Sequence, residues 1–273
     1  DPNLLTMGSG SVRGDGEVIG IAVAVEGWSG YFPINHEGGG NMDRALVLDW
    51  FEEVLHTDAT KIFHNAMYDV SWIRSMGFQI RGGIIDTLIA ASLIDENRWG
   101  YALNALGREY VGMGKNEKIL QEAAKEWGIN PKSEMWRLPA PLVGEYAEQD
   151  AVVTLKLWHA LQHEISKQDL WDVFNLETNL FPCLVDMKFK GVRVDVAKAE
   201  ATKAQLIDAE KEMHRDIQKL AGFDVEIWAA ASIAKAFDIV KLPYDRTEKG
   251  APSFTKNFLA THPAELPKLI NQA

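Results

Sequence analysis

Tyr146-Ala147-Glu148-Gln149-Asp150-Ala151-Val152 follows a proline-marked break at Pro139 and Pro141 and leads into an apolar run. Read as helix, it sets the Tyr146 phenol and the Asp150 carboxylate on one face, a turn apart. His64-Asn65-Ala66-Met67-Tyr68-Asp69 repeats the spacing with an amide and a carboxylate, Asn65 and Asp69. Two helices then offer hard oxygen ligands to a shared cleft.

The elements around these pairs alternate. Residues 17–26 are apolar and β-branched between Gly14-Asp15-Gly16 and Gly27, which predicts a buried strand, with residues 30–34 as its hairpin partner. Leu46, Trp50, Val54 and Leu55 recur at helical spacing over 43–55, and Lys61-Ile62-Phe63 predicts a short strand before the Asn65–Met76 helix. Ile84-Ile85-Asp86-Thr87 reads as a strand turning into a helix through Ala90 and Leu93, with Asp86 as N-cap. The polar stretch 112–137 predicts short helices and loop. From residue 166 strand signals vanish; Asp195 caps a helix over 196–220 that stops at Gly222, and 245–255 is turn-rich. These signals give an α/β fold followed by a mainly helical segment, with a boundary near 165/166.

With 273 residues, 47% of them hydrophobic, the chain can bury one large core or two modest ones. The sequence shows no run of about 18 apolar residues and no basic-then-apolar leader, and Cys183 has no second thiol. The expected setting is a reducing cytoplasm, with no membrane partner. A net charge of −11 argues against general polyanion binding through clustered Lys and Arg. It leaves room for a site that grips a few nucleotides while metal ions supply the positive charge.

Phosphodiester hydrolysis needs an activated water and a means of holding charge on the attacking and leaving oxygens, which two divalent cations roughly 3.5–4 Å apart provide. Magnesium-like ions take carboxylate oxygens. Asp69 and Asp150 suit that role, Tyr146 could hold the attacking water, and Asn65 could donate to a substrate oxygen or sugar. Each pair alone also occurs by chance on solvated helices. Glu148 is expected to point away from Asp150 into solvent. Most tryptophans read as core, with Trp72 or Trp99 able to stack an unpaired base.

Together the residues resemble one family. Asn65-Ala66-Met67-Tyr68-Asp69 is similar to the second motif, and Tyr146-Ala147-Glu148-Gln149-Asp150 to the third, of the tyrosine-containing DEDD 3′–5′ exonucleases. Ile85-Asp86-Thr87-Leu88 with Ser92-Leu93-Ile94 resembles the segment between those motifs in family A DNA polymerases of the bacterial polymerase I kind. Phe189-Lys190-Gly191-Val192-Arg193-Val194-Asp195 is similar to the run that opens their polymerase domain, and Thr247–Thr255 to the loop at the thumb tip. The resemblance implies a ribonuclease H-like mixed sheet flanked by helices over 1–165, joined over 166–273 to the helical start of a polymerase domain and part of its thumb. It also implies proofreading with two Mg²⁺ or Mn²⁺ ions, with Asp69 and Asp150 as ligands and Tyr146 as a third catalytic residue. Partners would be a single-stranded DNA 3′ end at Asn65, a duplex at Arg246, Lys249 and Thr255, and the remainder of a polymerase chain. The family's first motif, Asp-x-Glu-Thr, is absent; Asp1-Pro2-Asn3 fits a strand poorly. The motif is therefore expected upstream and the chain is read as part of a longer polymerase, with feeble nuclease activity alone. Two alternatives stay open: a ribonuclease D-like RNA exonuclease, and a catalytically silent scaffold with this fold.

Overall fold

The computed structural model describes residues 7–114, 117–131 and 133–273; Asp1-Pro2-Asn3 lies outside them. The chain divides into two compact units, parting between Gly191 and Val192.

In the first unit a short helix α1 (Gly10–Arg13) precedes the hairpin of β1 (Gly20–Val25) and β2 (Trp28–Pro33). The strands pair antiparallel from Gly20↔Pro33 to Val25↔Trp28, and Gly27 takes the left-handed turn position at φ +77°. Helix α2 (Arg44–Leu55) starts where Asp43 accepts from the Leu46 N–H. It buries Val47, Phe51 and Leu55 against Ile21 and Ile34 of the hairpin region. Of the expected stripe, Leu55 is buried and Trp50 packs partly buried on this cluster, while Leu46 lies on the open side, 67% exposed.

The next four elements form a βαβ unit: β3 (Lys61–Phe63), α3 (Ala66–Ser75), β4 (Ile84–Asp86) and then α4 (Thr87–Ile94). β3 and β4 pair in parallel, Phe63 opposite Asp86, and α3 supplies the crossover that parallel strands need. Helix α5 (Leu103–Leu106) runs into a π-helical turn, Gly107–Val111, and α6 (Lys118–Trp127) and a 3₁₀ turn, Met135–Arg137, follow. Lys115, Asn116 and Lys132 of the expected short-helix stretch lie outside the described residues.

Helix α7 (Pro141–Lys167) is the spine of this unit. Proline at its first position needs no intrahelical partner for its missing N–H. It packs on β1, β2 and β3, so it covers both strand pairs. Val153, Leu157, Leu161 and Ile165 form its buried stripe, with Ala90, Leu103, Leu106 and Phe174. Among the described residues the strands make separate two-stranded pairs, not one continuous sheet. Helix α8 (Trp171–Lys190) returns along the unit, burying Phe181 and Val185 against Ala66 and Val70 of α3.

In the second unit, α9 (Val196–Ala221) begins at Asp195, whose side chain accepts from the Lys198 N–H, and ends at Gly222 with φ +75°. Helix α10 (Ala230–Ile239), the strands β5 (Asp245–Arg246) and β6 (Pro252–Ser253), α11 (Lys256–Thr261) and α12 (Glu265–Gln272) complete it. The core is Ile217, Ala221, Ile233, Phe237, Leu259, Leu266 and Ile270. The hairpin of β5 and β6 corrects the expectation that strands end before residue 166; each is two residues long, too short to leave a periodic signal. Among the described residues no helix is long and apolar enough to cross a membrane.

Candidate active site

The first arm grows from the end of β3. The chain leaves Phe63, turns through His64 and Asn65, and enters α3 at Ala66. Asn65 is therefore the residue before the helix, in the left-handed region at φ +65° and exposed, not one turn below Asp69 on a helical face as the spacing predicted. Asparagine is among the few side chains that adopt this region readily. The turn is held by Asp86, at the end of the neighbouring strand and 6% exposed. Its Oδ1 accepts from the Asn65 N–H at 2.9 Å and the Leu88 N–H at 2.9 Å, and its Oδ2 from the Ala66 N–H at 2.8 Å. The buried Thr87 hydroxyl donates to the Phe63 carbonyl at 3.0 Å and so accepts from His64 Nδ1 at 2.9 Å, which places a proton on that nitrogen. Sequence reading found Asp86 as a helix cap and missed the clamp, since its partners lie across the parallel pair.

Asp69 sits in the first turn of α3. The residue is exposed, yet the protein packed around its carboxyl desolvates it. That crowding pushes its pKa up to about 7, its own backbone N–H pulls it down, and the Asp86 charge adds to the rise. Its exposure tempers the shift without reversing its direction. Trp72, on the same helix, is 9% exposed and packs edge-on against Tyr68, which corrects its reading as a stacking platform. Trp99 is fully exposed.

The second arm is α7, which carries Tyr146 and Asp150 one turn apart, both half-buried, as the spacing predicted. Tyr146 packs against the cluster of Leu120, Ala123, Leu138 and Val143. Asp150 Oδ1 is withdrawn from solvent. Glu148 is half-buried and accepts from the Ser29 hydroxyl of β2 at 3.2 Å, so the expectation of a solvated Glu148 is corrected. The hairpin packs closely enough on α7 to reach it.

Both arms pack on β3, which brings Asn65, Asp69, Tyr146 and Asp150 to elements sharing one short strand. Among the described residues no group of three or more His, Cys, Asp or Glu side chains is arranged to hold an ion. The donor chemistry still suits a hard divalent cation: two carboxylates, one with a sheltered oxygen and one raised toward neutrality by crowding that positive charge would offset. Arg246, Lys249 and Thr255 belong to the second unit. There the Arg246 guanidinium donates to the Gly250 carbonyl at 2.9 Å and the Tyr244 hydroxyl at 3.1 Å, Thr255 caps α11 by accepting from the Phe258 N–H, and Lys249 is exposed.

Residues 6–166 match the family model described as the 3′–5′ exonuclease of DNA polymerase A. The whole chain is 32% identical to a DNA-directed DNA polymerase of Pseudomonas phage M6, covering 42% of that protein. A DNA polymerase DpoZ of Acinetobacter phage SH-Ab 15497 is 30% identical over 82% of the chain and 39% of its own length. DNA polymerase I of Pseudomonas aeruginosa is 27% identical over 94% of the chain and 29% of its own length. The chain thus spans about two fifths or less of the length of these curated relatives. Among solved structures, the polymerase domain of Pol1 from M. smegmatis, in complex with DNA primer-template and dNTP, shares the fold. Its TM-score is 0.68 at 15% identity, over 94% of this chain and 41% of that one.

Proposed function

The chain belongs to the 3′–5′ exonuclease family of DNA polymerase A, and from that premise we propose that it removes nucleotides from DNA 3′ ends as the proofreading part of a DNA-directed DNA polymerase. The observation that carries the reading is the placement of Asn65 and Asp69 on one arm and Tyr146 and Asp150 on the other, both packed on β3 inside the matched segment. The polymerase names of the relatives support DNA over RNA as substrate. We read residues 1–165 as the exonuclease domain and 166–273 as the helical start of a polymerase domain with part of its thumb. The rest of a polymerase chain is then a partner, in the cytoplasm of a bacterial or phage-infected cell.

Two Mg²⁺ or Mn²⁺ ions would supply Lewis acidity at the scissile phosphate and the attacking water. Asp69 and Asp150 would hold them. Tyr146, a turn from Asp150 and braced by the Leu120–Val143 cluster, would orient the water through its hydroxyl. The exposed Asn65 amide would hydrogen-bond the terminal nucleotide. In the second unit Arg246, Lys249 and Thr255 would meet duplex phosphates, which gives position and salt dependence without reading bases. Nothing in this set selects a base, as suits removal of any terminal nucleotide.

The test uses the protein expressed from its complete open reading frame, with Mg²⁺ or Mn²⁺ and a primer frayed at its 3′ end. Asp150→Ala removes a charge worth several kcal/mol at the transition state and is expected to slow release by on the order of 100-fold or more. Wild-type release by that variant would falsify the assignment.

A further inference from the structure

Four consecutive residues at the entrance to α3 each give an atom to the same two side chains. The Phe63 carbonyl and His64 Nδ1 bond Thr87, and the Asn65 and Ala66 N–H groups bond Asp86. We propose that Asp86, backed by Thr87, is a positioning residue of the exonuclease reaction: it fixes the turn that aims the Asn65 amide and sets the pose of the helix bearing Asp69. This rests on the function proposed above.

The argument is geometric. Asp86 is buried at the end of β4, and both of its oxygens are occupied by backbone donors, so it holds protein in place and is not free to take substrate. Its donors come from two segments: Asn65 and Ala66 at the start of α3, and Leu88 at the start of α4. One short carboxylate thus ties two helix starts together. Asn65 sits at φ +65°, a conformation most side chains resist and asparagine tolerates, and the Asp86 bond to its N–H holds the turn there. The charge also fills the N-terminus of α3. Free helix N-termini attract phosphate, so an internal carboxylate here keeps a substrate phosphate from docking on these amides, and cations held by Asp69 and Asp150 would then be its partners.

Asparagine at 86 would keep one acceptor oxygen and turn an amide N–H toward a backbone donor, while alanine would keep none. At Thr87, valine matches the shape without the hydroxyl and serine keeps the hydroxyl. The experiment measures release of a frayed 3′ nucleotide by the product of the complete open reading frame, with kcat normalised to the folded fraction from circular dichroism, beside KM for DNA. Misplacement by about 1 Å costs on the order of 100-fold. The expected order in kcat is wild type above Asp86→Asn, down by about tenfold, above Asp86→Ala, down by on the order of 100-fold, with KM within about twofold. Thr87→Ser is expected to retain more kcat than Thr87→Val. Normalised kcat at the wild-type level in Asp86→Ala and Thr87→Val, or losses confined to KM, overturns the proposal. Asp150→Ala runs alongside: if it is inactive while the Asp86 and Thr87 variants turn over normally, the positioning role fails and the exonuclease reading stands. If Asp150→Ala turns over normally, the reading itself has failed.

Discussion

At Asp69, protein crowding pushes the carboxyl pKa up to about 7, from an ordinary value of about 4. Between those values the folded chain keeps a proton that the unfolded chain has lost, so without cations this group makes stability fall as pH rises from about 4 to about 7 and leaves it level above. A cation bound there needs the carboxylate, and its binding below pH 7 must release the proton. Titrating Mn²⁺ at pH 6 in two buffers of different ionisation enthalpy is expected to report close to one proton released per Asp69, falling toward none by about pH 8.5. Equal release at both pH values would remove Asp69 from the ligand set. The same residue marks the limit of what spacing can give: Tyr146 and Asp150 stand a turn apart because a helix repeats every few residues, whereas the raised pKa of Asp69 comes first from the protein packed around it, with a smaller push from Asp86, and both arise only in the tertiary fold.

Between the hairpin and α7 the joint is His36, 3% exposed. Its Nδ1 lies 2.9 Å from the Leu138 carbonyl, which can only accept, so that nitrogen carries the proton and Nε2 accepts from the Tyr31 hydroxyl at 2.6 Å. The loop lies so close that a Cβ on Gly38 would fall 2.4 Å from the Pro139 nitrogen, and the Ala140 N–H donates to the Gly39 carbonyl at 3.0 Å. Burial lowers the His36 pKa, partly offset by the Leu138 bond. The unfolded chain takes up a proton below about 6.5 while the folded chain resists, so this contribution to stability is present above that pH and lost as pH falls through the depressed folded value. His36→Ala is expected to cost roughly 1–3 kcal/mol for each of the two partners left unbonded, Leu138 and Tyr31. His36→Gln should flatten the acid side of the melting-temperature profile; an acid limb as steep as in the wild type would exclude His36 as its source. None of this was visible beforehand, because His36 meets Leu138 only through the tertiary fold. The α9 helix was read almost to its ends from Asp195 and Gly222, since caps act within a single turn.

Across the whole chain, the boundary read from sequence at 165/166 and the division of the structure at Gly191/Val192 differ by a stretch made up mostly of α8. Strand signals do stop near 166, but α8 buries Phe181 and Val185 against α3, pairs Asp186 with Arg74, and sends Lys188 Nζ to the Ser71 hydroxyl at 3.0 Å. Packing, which a change of texture does not report, assigns that helix to the first unit. The second unit has its own core, centred on Phe237, fully buried among the rings of Tyr244, Phe254, Phe258 and His262. A core of this kind supports a separate cooperative transition. Phe237→Ala removes the ring that all four neighbours touch and is expected to cost about 3–5 kcal/mol. Calorimetry of the chain should show that loss in one transition only, with the unit carrying Asp69 and Asp150 melting at its wild-type temperature. A single transition that moves as a whole would mean the two cores unfold together, and the division at Gly191 would then mark geometry without energetic independence.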